Sequence, residues 1–219
     1  MDGTYRFTYL FDPLCGWCYA AAPALERIAE RHGDSLRLMP TGLFTELRPV
    51  ATIADHARTN DDRIQELTGQ PFTSAYHHGV MRAPGAQLSS LPLTRALVAL
   101  GQIDPALEPR FLHEAQTARY VEGRDTSRVE VVAGVAHRVA QIAGLQINDG
   151  DLLVRLTEDQ HLASETDSRI LEGRTMMEMV GLRGIPQLVV TDSGGTRTVD
   201  SQTLYAGGDA VLGALGDAA

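Results

Sequence analysis

Cys15 and Cys18 are the only cysteines in this 219-residue chain, two positions apart in Phe11-Asp12-Pro13-Leu14-Cys15-Gly16-Trp17-Cys18-Tyr19. A pair at this spacing can cycle between dithiol and disulfide, or supply half of a metal site. Placement favours the first. An apolar, strand-like run precedes the pair and an Ala-rich, helix-like run follows it. Cys15 therefore falls at the first turn of a helix, where unpaired backbone N–H groups and the macrodipole favour a thiolate. The thiolate is the species that attacks disulfides. A zinc site would need two further ligands, and the obvious pair, His77-His78, is adjacent in sequence, a spacing at which two rings rarely point at one ion. The loop between the cysteines is too short for a purely structural disulfide to gain much from loop closure. No metal is expected.

The surrounding elements must hold this pair in place. Tyr5 to Phe11 reads as a strand stopped by Asp12-Pro13. A helix follows to about Arg31, with Ala21, Leu25, Ile28 and Ala29 on one face, and Gly33 reads as its stop. Pro23, five residues past Cys18, should kink that helix. Leu36 to Gly42 reads as a second strand, parallel to the first because a helix joins them. From about Val50 to Gly181 the pattern is helical: Ile53 to Thr68, Leu93 to Gln102, Ala106 to Tyr120, a segment opened by a capping box at Ser127 to Glu130, and Thr166 to Val180. Asp149 or Asp151 reads as the cap of a further short helix, and Met176, Met177 and Met179 as core. Strands return at Gln187 to Thr191 and Thr196 to Asp200 around an Asp192-Ser193-Gly194-Gly195 turn, and a short helix follows Gly207-Gly208-Asp209.

Bulk composition excludes several classes. A formal charge of −9 argues against a general nucleic-acid binder, and no apolar stretch approaches the roughly 20 residues needed to span a bilayer. All 19 basic residues are Arg. No signal segment is visible at the start of the chain, so a cytoplasmic location is expected, where a close cysteine pair is more often catalytic or metal-binding than structural.

Gly184-Ile185-Pro186, placing Pro186 171 positions beyond Cys15, completes a pattern. With the Cys-Gly-Trp-Cys motif and Pro23, the sequence resembles the thioredoxin superfamily, specifically DsbA-like proteins with a large helical insertion. The resemblance is specific over residues 5 to 42 and 183 to 217; the middle matches in length and helical character. It implies an α/β, thioredoxin-like fold (βαβ…ββα) interrupted by a large all-α insertion, with residues 1–48 and 182–219 forming the thioredoxin-like domain and 49–181 the insertion. By position, Cys15 would be the nucleophile and the more exposed thiol, and Cys18 the resolving thiol. Pro186 would be cis, leaving the Ile185 backbone free to pair with an extended substrate. Trp17 would contact substrate or pack as a half-buried ring. Gly16, Gly184, Pro23 and Asp12 would support the motif, Asp12 as a helix cap or a proton acceptor.

The function implied is that of a thiol–disulfide oxidoreductase or isomerase acting on disulfide-containing proteins or peptides. It would hold no bound cofactor and would use glutathione or a thioredoxin-type dithiol as redox partner, without nucleic acid or membrane. A second reading is a glutathione-dependent transferase or isomerase acting on a small organic substrate, against which the retained Cys18 counts. A third is a non-enzymatic scaffold. One departure stands out. Relatives often hold a buried acid six residues before the nucleophile to take the resolving thiol's proton; here that position is Tyr9.

Overall fold

The computed structural model describes residues 5–216. The chain opens with β1 (Arg6–Phe11), α1 (Gly16–Ala20), α2 (Ala22–His32) and β2 (Leu36–Pro40). A short pair, β3 (Arg48–Pro49) and β4 (Gln87–Leu88), brackets α3 (Ala54–Thr68), α4 (Ser74–Tyr76) and a π turn at His77–Met81. Then come α5 (Leu91–Gly101), α6 (Leu107–Tyr120), α7 (Val129–Ile142), α8 (Asp149–Glu158) and α9 (Gln160–Met179). The chain returns to the sheet through β5 (Gln187–Asp192) and β6 (Gly195–Val199), and closes with α10 (Ser201–Tyr205) and α11 (Gly208–Leu215).

Four strands form one sheet in the order β2-β1-β5-β6. β1 is parallel to β2, with Tyr9 opposite Leu38, and antiparallel to β5, with Tyr9 opposite Leu188. This is the expected α/β, thioredoxin-like arrangement with a helical interruption, the β3/β4 pair being the insertion's small strand element. Strand alternation assigns the two faces. Phe7, Tyr9, Phe11, Leu38, Leu188 and Val190 join a buried cluster with Leu25 and Ile28 of α2 and Val211 of α11. That cluster continues into Leu97, Phe111 and Val135 of the helical segment. Leu10, Met39 and Val189 point the other way, against Met176 and Met177 of α9.

The last insertion helix is fastened to the sheet by polar contacts. Arg169 bridges the buried Glu108 of α6, 2.6 Å away, and the Leu38 carbonyl of β2. Arg174 donates to the Thr41 carbonyl at 2.8 Å and to that of Gly42. Gly173 makes the approach possible: a Cβ there would lie 2.5 Å from the Pro40 oxygen.

Several local expectations change. The proline break is real but falls at Ala21, which ends α1 and caps α2, with Pro23 in the first turn of α2. That turn leaves its N–H groups unpaired anyway, so proline costs nothing there. Gly33 does stop α2, as expected, with right-handed backbone, and it leads into a 3-10 turn. Ser127 makes no capping box; Arg128 occupies the cap of α7, and the Ser127 hydroxyl donates to Asp125 instead. Asn148, not Asp149 or Asp151, caps α8, accepting from the amides of Gly150 and Asp151. Asp159 caps α9, which starts six residues earlier than its periodicity suggests. Met179 is 81% exposed, outside the core that Met176 and Met177 reach. α10 was not anticipated; Asp200 caps it by accepting from Gln202 N–H.

Candidate active site

Cys15 is the N-cap of α1, with extended backbone, and its carbonyl receives the Cys18 and Tyr19 amides. Burial orders the thiols as expected: Cys15 is 7% exposed and Cys18 1%. Burial, followed by the hydrogen bond to Cys15, pushes the Cys18 thiol well above the ordinary cysteine range. Cys18 is therefore the thiol that keeps its proton, shared toward the Cys15 sulfur.

Asp12 lies directly beneath this turn, fully buried. It is neither a helix cap nor a free proton acceptor. One carboxyl oxygen accepts from Leu14 N–H at 2.9 Å; the other accepts from Phe44 N–H at 3.0 Å and the Ser90 hydroxyl at 2.9 Å. Burial pushes its carboxyl up, and these donors pull it back down. The side chain joins the approach to Cys15, the loop after β2 and the start of α5. Tyr9 lies fully buried behind the pair. Its hydroxyl donates to the Cys18 carbonyl at 3.4 Å, and burial, then the nearby cysteine sulfurs, hold it well above the usual phenol range. It stays a neutral donor and does not accept the Cys18 proton.

A cavity of about 580 Å³ opens beside Cys15, lined also by Gly16, Trp17, Gly184 and Ile185. The Ile185-Pro186 bond is cis, Pro186 is buried, and its carbonyl accepts from the Ser201 hydroxyl. The two sequence-distant motifs thus meet at one cavity wall. Pro23 is exposed and acts only by shaping the break between α1 and α2. Trp17 is both packed and cavity-lining: its indole N–H donates to Asn60 at 3.0 Å, Tyr205 lies at 5.1 Å between ring centroids, and the Arg63 guanidinium sits 5.6 Å over the ring.

The helical segment supplies residues that sequence reasoning missed. Asn60 and Asp61 of α3, Tyr76 of α4, Arg119 of α6 and Arg174 of α9 line the cavity together with Cys15. An aromatic cluster of Tyr19, Phe72, Tyr76 and Tyr120 docks this segment on α1, and the Tyr120 hydroxyl donates to the Leu14 carbonyl at 2.9 Å. Gly16 lets the two approach: a Cβ there would meet Ile64 at 3.2 Å and Asp61 Oδ1 at 3.5 Å. A polar residue within an amphipathic helix carries no local mark of this role, so only the docking reveals it. Among the described residues no three potential metal ligands gather, and no helix is long and apolar enough to cross a membrane.

A buried thiol behind a more accessible one at a helix start, facing a cis-proline turn on this sheet, defines a DsbA-like thiol–disulfide oxidoreductase of thioredoxin fold, and the structural comparisons agree. The chain is similar to the cytosolic disulfide reductase DsbM from Pseudomonas aeruginosa, at 29% identity and a TM-score of 0.83, covering 96% of this chain and 97% of that one. The same reductase with GSH matches with a TM-score of 0.80 at the same identity and coverage. Chlamydia trachomatis DsbA, 15% identical with a TM-score of 0.55 over 91% of this chain and 80% of that one, shares the fold. No family model matches the sequence, and no curated protein sequence matches it.

Proposed function

We propose that this oxidoreductase works as a cytosolic disulfide reductase drawing electrons from glutathione. Cys15 thiolate attacks a substrate disulfide, forming a mixed disulfide and releasing one substrate thiolate. Cys18, losing its proton, attacks Cys15 Sγ, frees the second substrate thiol and leaves the Cys15–Cys18 disulfide. The sulfur of one glutathione, giving up its proton, then attacks Cys15, and that of a second attacks the bound glutathione sulfur, which restores the dithiol and yields oxidised glutathione.

The observation that carries this reading is the cavity beside Cys15, together with the similarity to a reductase studied with GSH. Arg183 and Arg174 on its wall offer cations to the carboxylates of a small thiol peptide, although two Arg174 nitrogens already serve backbone carbonyls. The Ile185 backbone at its edge suits pairing with an extended disulfide-bearing peptide. Retention of Cys18 argues against a transferase, which needs no resolving thiol.

The test is glutathione-driven reduction of a disulfide-bonded peptide by wild type, Cys15→Ser and Cys18→Ser. Wild type turns over, Cys15→Ser does not, and Cys18→Ser accumulates a mixed disulfide on Cys15 detectable by intact mass. Equal rates for wild type and Cys15→Ser would overturn the proposal.

A further inference from the structure

Two buried acids flank the thiols, and their hydrogen bonding separates them. Both Asp12 oxygens are occupied by donors. Asp61, only 4% exposed, has an Oδ2 with no hydrogen-bond partner among the described residues, and it forms no ion pair there. It lines the same cavity as Cys15 and sits against Gly16, the residue that follows the nucleophile. A buried carboxyl oxygen without a donor is costly unless a visiting group supplies one.

We infer that Asp61 is the proton acceptor for the glutathione thiol that attacks the Cys15–Cys18 disulfide. This rests on the glutathione-driven reading above. In the step, the S–H proton passes to the Asp61 carboxylate as the thiol sulfur bonds to Cys15 Sγ. The Cys15–Cys18 bond breaks, and its electron pair goes to Cys18 Sγ. Cys18 is reduced to the thiol level, the attacking glutathione enters a mixed disulfide, and the carboxylic acid later returns its proton to solvent. The helical segment thereby supplies a proton acceptor at the cavity, which Tyr9 of the sheet does not.

The groups facing Asp61 suit this task. Burial raises its pKa to about 7; the Tyr76 hydroxyl and the Arg119 guanidinium lower it, and Asp62 on the same helix raises it. Tyr120 and Cys15 share the wall. Arg119 is also held by its bond to Thr126 and lies over the Tyr76 ring at 5.8 Å. A base that titrates near working pH gives the greatest proton-transfer efficiency.

The experiment is the pH dependence of the reaction between the oxidised enzyme and glutathione, followed by thiol appearance at Cys18. Wild type should show a rising limb centred near pH 7. Asp61→Asn should lose that limb and follow the ionisation of the free thiol near pH 8.5. At pH 7 wild type stands half-way up its limb while about 3% of a free thiol is ionised, so the variant should react up to about 15-fold more slowly. Asp62→Asn, at an exposed position outside the cavity, should move the wild-type limb to lower pH by withdrawing a like charge. The inference falls if Asp61→Asn keeps a limb near pH 7, or if Asp61→Asn does not fold and the Asp62→Asn limb stays where wild type has it. An oxidised wild type that does not react with glutathione at any pH would instead sink the glutathione-driven reading itself.

Discussion

Replacing Asp12 by Asn swaps one carboxyl oxygen for an NH₂ at nearly constant volume, in a place where every neighbour is a donor. If the amide oxygen faces Leu14, the NH₂ faces the Phe44 amide and the Ser90 hydroxyl. The hydroxyl can turn and accept, but the Phe44 amide cannot, and it is stranded. If the amide is flipped, the Leu14 amide is stranded. Either way at least one buried backbone donor loses its partner, costing about 1–3 kcal/mol. The remaining bonds lose their charged acceptor, which halves bonds of this type and adds roughly 1 kcal/mol. The total comes to about 3 kcal/mol. For a chain of this size that corresponds to a fall of about 6–12 °C in melting temperature. Urea unfolding of the reduced protein measures it, with Ser90→Ala as a companion that removes one donor and should cost about 1 kcal/mol. A loss below about 1 kcal/mol for Asp12→Asn, on the scale of one ordinary hydrogen bond, would refute the reasoning that this carboxylate joins three segments of the chain.

Gly173→Ala should destabilise by about 1–3 kcal/mol in the same urea titration, because its methyl would fall 2.5 Å from the Pro40 carbonyl oxygen and push α9 off β2. A neutral result would mean that α9 does not pack this closely. Asp61 should also leave a mark on stability. Its folded pKa is raised from 3.8 to about 7, so its contribution is fully present below the unfolded value and is lost as pH rises through about 7. A rise of that size corresponds to roughly 4 kcal/mol as an upper figure. Asp61→Asn should flatten the fall in unfolding free energy between pH 4 and 7; a variant and wild type with parallel pH curves would show that Asp61 ionises freely.

The legible parts of this protein were those whose information is local. Cys15 at a strand-to-helix junction, the Pro23 break and the strand alternation around Val189 each follow from a few neighbouring residues. Boundaries misread at Ser127, Asp149 and Asp151 share one cause: several small polar side chains stood near each helix start, and backbone geometry chose among them. Arg128 took the α7 cap without a side-chain bond, and Asn148 took the α8 cap with two. Met179 was misread because it follows two core methionines, yet the last turn of α9 carries it past the sheet into solvent.

Asp12 shows a second kind of limit. From sequence it was a short acid near a helix start, and capping was the economical reading. Its true partners, Phe44 and Ser90, lie 32 and 78 positions away. The same distance hides Asp61, one of two neighbouring acids on α3, distinguished from Asp62 only by which helix face meets α1.

By itself, then, the sequence determined the close cysteine pair, its helix-start setting, the distant proline and the interrupted α/β frame, because each is encoded in local residue type and periodicity. Only the tertiary structure decided which acid is consumed in holding the loop and which one lines the cavity beside Cys15 with an oxygen to spare. That choice depends on packing between α1 and α3 and on donors drawn from remote segments, where burial sets both the ionisation of a carboxyl group and the cost of leaving it unpaired.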